Sequence, residues 1–110
     1  MLDEQEFRLT ADLALEKLHR GIAKASEKHD FETDFGGTLT VEFDDPPAKF
    51  VVSPNAPVRQ IWVSAHSRSF KLDWDALRGK FVLPETGQTL SQLLSDAISR
   101  QIGEDVELEA

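Results

Sequence analysis

The chain has 110 residues, 40% hydrophobic and 29% charged, with a net charge of −8 and no cysteine. That is length for one domain with a single buried core, and it excludes a disulfide framework, thiolate chemistry and a bilayer-spanning helix, because no apolar run approaches the roughly 18 residues a span requires. The start is acidic, where a mitochondrial presequence is basic and acid-poor, so the expected location is cytoplasmic, for the chain itself or for a mature form whose leader was removed.

The first expected element is a helix from about Glu4 to Ser26. Phe7, Ala11, Ala14, Leu15, Leu18, Ile22 and Ala25 recur at three- and four-residue spacing and share one stripe at about 100° per residue. Asp3 is its natural N-cap, and Asp3, Glu4 and Glu6 complement the positive end of the helix dipole. Gly21 costs about 1 kcal/mol against Ala, so the last turns are expected to be loose. Leu9 and Leu13 lie off the core stripe.

From Phe31 the apolar period becomes two. Strands are expected over Phe31–Phe35, Thr38–Phe43, Lys49–Ser53, Arg59–Ala65, Phe70–Trp74 and Lys80–Leu83, split by Gly-, Pro- and Asp-rich stretches and by His66–Ser69. Connections this short imply an antiparallel meander. A second helix opens on a Thr89/Gln92 capping box, carries Leu90, Leu93, Leu94, Ala97, Ile98 and Ile102 on one face, and stops at Gly103. Val106 and Leu108 alternate with acids, so the tail is expected to dock as an extended segment beside the helices. The fold class is α+β: a two-layer sandwich with two helices on one face of an antiparallel sheet of about six strands, in a single domain over residues 1–110. The second face of the sheet is open to water.

Gln60-Ile61-Trp62-Val63-Ser64 sets a Trp in a β-branched run. In a strand, Ile61 and Val63 share one face, and Gln60, Trp62 and Ser64 share the other. Either the Ile–Val pair faces the core and Trp62 stands rigidly on the open face as a contact for another protein, or Trp62 is buried and the pair faces out. Alternation alone does not choose.

Charge is unevenly spread. Residues 1–45 hold 12 acids and 5 bases, residues 46–103 hold 4 acids and 7 bases, and the tail from Glu104 holds 4 acids and no base. An acidic first third repels nucleic-acid phosphates and suits a metal ion or a basic protein surface. On the first helix, Asp12, Glu16, His19 and Glu27 fall on a sector opposite the core stripe, with Lys17, Arg20, Lys24 and Lys28 adjoining. Asp30, Glu32 and Asp34 follow in the loop and first strand, all to one side. Carboxylates with an occasional imidazole suit hard or borderline divalent cations. A merely solvated helix face has the same pattern, and flexible surface acids lack the preorganised shell of a tight site. Metal binding on such a ridge is therefore expected to be weak, multivalent and displaced by salt. No catalytic set emerges: His19, His29 and His66 are scattered, Ser64, Ser67 and Ser69 near His66 lack a nucleophile elbow, and no phosphate-cradling glycine loop is present.

Several stretches resemble one family. Gly36-Gly37-Thr38-Leu39-Thr40-Val41 resembles the Gly-x-Leu-Thr strand start of the frataxins, and Pro57-Val58-Arg59-Gln60-Ile61-Trp62-Val63-Ser64 resembles their Pro-x-x-Gln-(Ile/Val)-Trp-(Leu/Val)-(Ser/Ala) signature. Asp73-Trp74 and the helix start Gly87-x-Thr89-Leu90-x-x-Leu93-Leu94 follow in order, so the resemblance to a bacterial frataxin covers essentially the whole chain. It implies the same two-layer fold, and it implies a non-enzymatic, monomeric accessory protein of iron–sulfur cluster assembly that binds the cysteine desulfurase and its scaffold protein, with neither nucleic acid nor membrane as a partner. It further implies weak, surface-bound iron (Fe²⁺/Fe³⁺) on an acidic ridge, here Asp12, Glu16, Glu27, Asp30, Glu32 and Asp34, with His19 beside them. Lys17, Arg20 and Lys24 stand where relatives carry more acids, which weakens cation binding by repulsion. On the open face, the family's Asn before the Trp strand falls on Ser53 and its Gln two residues later on Asn55. Gln60 and Trp62 match directly, Lys71 takes the place of a recurrent base, and the later family Trp is replaced by Phe81. The competing readings are an iron-storage or ferroxidase protein, which requires a preorganised di-iron site and finds one Glu16-x-x-His19 here, and an acidic binding module with no metal role.

Overall fold

The computed structural model describes residues 2–44 and 46–108. Helix α1 (Glu4–Ser26) opens on a reciprocal cap, in which the Glu6 N–H donates to the Asp3 carboxylate at 2.7 Å and the Asp3 N–H donates to the Glu6 side chain at 3.4 Å. The donated Glu6 N–H holds the Asp3 carboxyl below the usual carboxylate range. Gly21 does not loosen the end of α1, which continues unbroken to Ser26, because Leu18 and Ile22 are buried on either side of it. Tertiary packing overrides the local propensity.

Six strands follow: β1 (Phe31–Phe35), β2 (Leu39–Asp44), β3 (Pro47–Asn55), β4 (Gln60–Ala65), β5 (Arg68–Asp75) and β6 (Lys80–Val82). They pair antiparallel in chain order, and α2 (Leu90–Ile102) closes the chain with the Thr89/Gln92 cap and Gly103 left-handed at φ 71°. The expected two-layer α+β sandwich is what forms. Phe31, Val41, Phe50, Val63, Leu72 and Phe81 represent the inward set of the six strands, and they pack under Phe7, Leu15, Leu18 and Ile22 of α1 and Leu94 and Ile98 of α2. Rings chain across the first three strands, Phe31 to Phe43 at 5.5 Å and Phe43 to Phe50 at 4.8 Å between centroids. Phe81 also faces inward, edge-on to Phe7 at 5.8 Å and to Trp74 at 5.1 Å. It belongs to the core, not to the open face.

Three strands outrun their expected limits, β2 by one residue at Asp44 and β3 and β5 by more. β3 continues through Pro54 to Asn55, since beyond Val52 it has a neighbour only on the β4 side, an edge position where proline is tolerated. β5 begins at Arg68 because the preceding turn is two residues long, with His66 at φ 52° and Ser67 at φ 61°. Both central residues at positive φ make the tight hairpin turn usually built from Asn-Gly. The short helical turn Ala56–Val58 before β4 was expected only as a turn; it ends on Arg59 at φ 55°, whose guanidinium donates to the Ala56 and Pro57 carbonyls at 2.9 and 3.0 Å. The tail docks as expected. Ser99 Oγ accepts from the Val106 N–H at 2.9 Å and donates to the Val106 carbonyl at 3.3 Å, while Ser95 Oγ accepts from the Leu108 N–H at 3.1 Å.

Candidate functional site

The open face of the sheet is built from the residues that alternate with the core set. Burial along β4 runs strictly in turn: Ile61, Val63 and Ala65 are buried, while Trp62 and Ser64 are exposed. That settles the alternation around Trp62, whose residue is 37% exposed on the face away from the helices. Cross-strand register then assembles the rest. Ser53, Trp62 and Lys71 lie abreast on β3, β4 and β5, and Asn55, Gln60 and Asp73 form the next row. All five residues expected to bind a partner (Ser53, Asn55, Gln60, Trp62 and Lys71) thus share one patch.

The indole is held by two neighbours, one of them braced by a third. Its Nε1–H donates to Gln60 Oε1 at 3.0 Å, Gln60 Nε2 donates to Asp73 Oδ1 at 3.0 Å, and the Lys71 ammonium sits 5.0 Å from the ring centroid. A large ring fixed in place by side chains loses little entropy when a partner covers it. Asp73 is a member of this network that the sequence reading used only as a family marker. The alternation Lys71-Leu72-Asp73 placed it on the open face, opposite Gln60.

The acidic residues divide into two groups. Glu32 and Asp34 of β1 stand exposed on the open face, joined there by Glu42 and Asp44 of β2, which the sequence reading did not include. Glu32 and Glu42 are direct cross-strand partners, and Glu42 also approaches Lys49 at 3.9 Å. Asp12 and Glu16 belong instead to α1 on the helical layer, where Glu16 pairs with Arg20 at 2.7 Å. His19 departs from expectation. It is half-buried with its ring 6.0 Å from that of Phe35, because it follows Leu15 by four residues and precedes Ile22 by three, which sets it on the flank of the buried stripe and not opposite it. Glu27 is the C-cap residue of α1 and Asp30 lies exposed in the following loop. Among the described residues no three His, Asp or Glu side chains converge on a point where they could hold a metal ion. The seven expected ligands stay apart, spread along α1, the loop after it and β1.

The serine and histidine residues of the β4–β5 hairpin do not assemble either. His66 Nε2 lies 2.9 Å from the Ala97 carbonyl of α2 and its ring meets Phe50 edge-on at 5.0 Å, which turns it to the helical side, whereas Ser64 faces the open side. Among the described residues no helix is long and apolar enough to cross a membrane.

A family model described as a frataxin-like domain matches residues 1–104. The chain belongs to the frataxin family. Among its relatives, the iron–sulfur cluster assembly protein CyaY of Pseudomonas aeruginosa is 34% identical over 96 residues, covering 84% of this chain and 88% of that one. CyaY of Ralstonia nicotianae is 31% identical over 112 aligned positions, covering 99% and 96%. A solved frataxin from Psychromonas ingrahamii superposes with a TM-score of 0.84 at 24% identity, over 99% of this chain and 100% of that one, and shares the fold. The frataxin signature read from Pro57 to Ser64 is therefore the corner and strand that present Trp62.

Proposed function

We propose that this member of the frataxin family is a non-catalytic accessory protein of iron–sulfur cluster assembly, acting as a monomer in the cytoplasm. It docks through the open sheet face onto a basic surface of the cysteine desulfurase and its scaffold protein. Trp62 is the anchor, held by Gln60 and Lys71 with Ser53 and Asn55 beside it, and the carboxylates of β1 and β2 steer the approach. Iron is cargo held weakly along Asp12, Glu16, His19, Glu27, Asp30, Glu32 and Asp34. The single observation that carries this reading is the fixed, outward indole of Trp62 on the same sheet face as Glu32, Asp34, Glu42 and Asp44. A preorganised di-iron centre is disfavoured by positive features: Glu16 is engaged with Arg20 and His19 packs against Phe35.

The test is association kinetics with a purified bacterial cysteine desulfurase across a salt series. Replacing Glu27, Asp30, Glu32 and Asp34 by their amides slows the association rate and flattens its salt dependence, since exposed charges act chiefly on the encounter rate. An amide variant that associates with unaltered rate and salt dependence removes the acidic side from the docking surface.

A further inference from the structure

The hydrogen bonds around Trp62 run in one direction only. An indole N–H donates and cannot accept, and an ionised carboxylate accepts and cannot donate. Gln60 stands between the two with one group of each kind. Its Oε1 accepts from Trp62 Nε1–H at 3.0 Å, and its Nε2 donates to Asp73 Oδ1 at 3.0 Å. With Asp73 in place, a single orientation of the amide satisfies both neighbours. The opposite one sets an NH₂ against the indole N–H and an oxygen against the carboxylate, two repulsive contacts in place of two bonds. Without Asp73 only the indole distinguishes the two ends of the amide, and water serves either end.

The strands place the three side chains for this task. Gln60 and Trp62 are two residues apart on β4 and so share a face, and Asp73 lies directly opposite Gln60 on β5. Gln60 and Asp73 are half-buried, whereas Trp62 is exposed. Among the described residues the bond to Gln60 is the one side-chain hydrogen bond of the Asp73 carboxylate. Lys71, two residues earlier on the same face of β5, turns to the indole ring, its ammonium 5.0 Å from the centroid. The amide of Gln60 is therefore what Asp73 holds.

We propose, on the docking reading above, that Asp73 is the positioning residue of the open face. By fixing the direction of the Gln60 amide, it holds the Trp62 indole in the orientation that a partner protein recognises. Asp73 acts through Gln60 and does not itself meet the partner. The one donor of the indole is spent on Gln60, so the partner meets the ring and not the N–H. A ring held this way before contact has less motion left to lose on binding.

The test joins a measurement on the free protein to a binding cycle. In the ¹⁵N-labelled chain, Asp73→Ala is expected to speed solvent exchange of the Trp62 indole N–H at least about threefold, while the backbone amides of Ile61, Val63 and Leu72 keep their protection. In binding to the desulfurase–scaffold complex, Asp73→Ala weakens affinity about threefold to tenfold, the cost of freezing a side chain that has been set free. The same change made in Trp62→Ala adds nothing to the loss. Asp73→Asn, which keeps an oxygen for Gln60 and removes the charge, recovers most of the affinity. Unchanged indole exchange in Asp73→Ala overturns the positioning role whatever the binding result. An equal further loss in the Trp62→Ala background, or Asp73→Asn as damaging as Asp73→Ala, means that the carboxylate meets the partner through its charge, and overturns it too. Full affinity of Trp62→Ala itself sinks the docking reading and with it any role of Asp73 in docking. Faster indole exchange in Asp73→Ala then marks the failure as that of the docking reading and not of the hydrogen-bonded chain.

Discussion

Trp62→Ala separates a partner-binding residue from a structural one, and the structure sets the sizes. With the residue 37% exposed, roughly two-thirds of its surface is covered, chiefly by neighbours on the open face. For a side chain that buries about 200 Å² when enclosed, less about a third for residual burial in the unfolded chain, truncation forfeits about 80 Å², or about 2 kcal/mol. Loss of the Gln60 hydrogen bond and the Lys71 contact adds only tenths of a kcal/mol each, since both partners return to water. No cavity forms, because solvent reaches the site. Phe50, 1% exposed and in ring contact with Phe43, is the control: its truncation costs about 3–5 kcal/mol. In binding to the desulfurase–scaffold complex, Trp62→Ala is expected to lose about 2 kcal/mol or more, a roughly thirtyfold rise in Kd. A domain stable by about 5 kcal/mol stays almost wholly folded after a 2 kcal/mol loss, so unfolding cannot produce a drop of that size. Urea unfolding and calorimetric binding on both variants check the ledger. A Phe50-sized stability loss with undiminished affinity per folded molecule refutes the assignment.

Ser67→Gly relieves a left-handed backbone position in the β4–β5 turn and should raise stability by about 0.5–1 kcal/mol, seen as a higher Tm; an unchanged or lower Tm refutes the strain argument. Ser99→Ala removes both bonds to Val106 and should cost about 1–2 kcal/mol, with faster amide exchange at Val106 and Leu108 before any other site. Titration with Co²⁺ should broaden the amides of Asp12–Glu16 and of Glu27–Asp34 as two groups, weakening as salt rises; one tight, salt-resistant stoichiometric site would contradict the separated-charge picture.

The order of elements was readable because each signal is local: the stripe on α1, the change to period two at Phe31, the N-cap at Asp3 and the capping box at Thr89. What was missed depended on neighbours or on rare turn chemistry. Pro54 reads as a strand breaker until β2 is seen to begin only opposite Val52, and His66-Ser67 carries none of the glycine that normally marks a two-residue hairpin. Alternation grouped Gln60, Trp62 and Ser64 on one face without saying which, and the frataxin resemblance supplied Ser53, Asn55 and Lys71, whereas Asp73 entered the network only through cross-strand register. His19 was misplaced for a simpler reason: four residues after the buried Leu15, it falls about 40° from it around the helix, on the flank of the core stripe, where Phe35 of β1 meets its ring.

The open face also shows where local stability yields to another demand. Glu32 and Glu42 face one another across β1 and β2, and directly opposed like charges destabilise a sheet. Protection of an edge strand explains charged residues on β1, since charge of either sign discourages pairing with another chain. It does not explain the shared sign, because a Glu–Lys pair would guard the edge equally and add attraction. Lys49 offers Glu42 partial relief at 3.9 Å and leaves Glu32 without it. With Asp34 and Asp44 also exposed there, the negative field is concentrated at one side of the face while Trp62 and Lys71 occupy the middle. Such a division suits a partner that presents a basic stripe beside an apolar recess: the stripe offsets the Glu32–Glu42 repulsion and the recess takes the indole. Both local costs, an exposed Trp and a partly relieved acid pair, are then reduced by the same binding event.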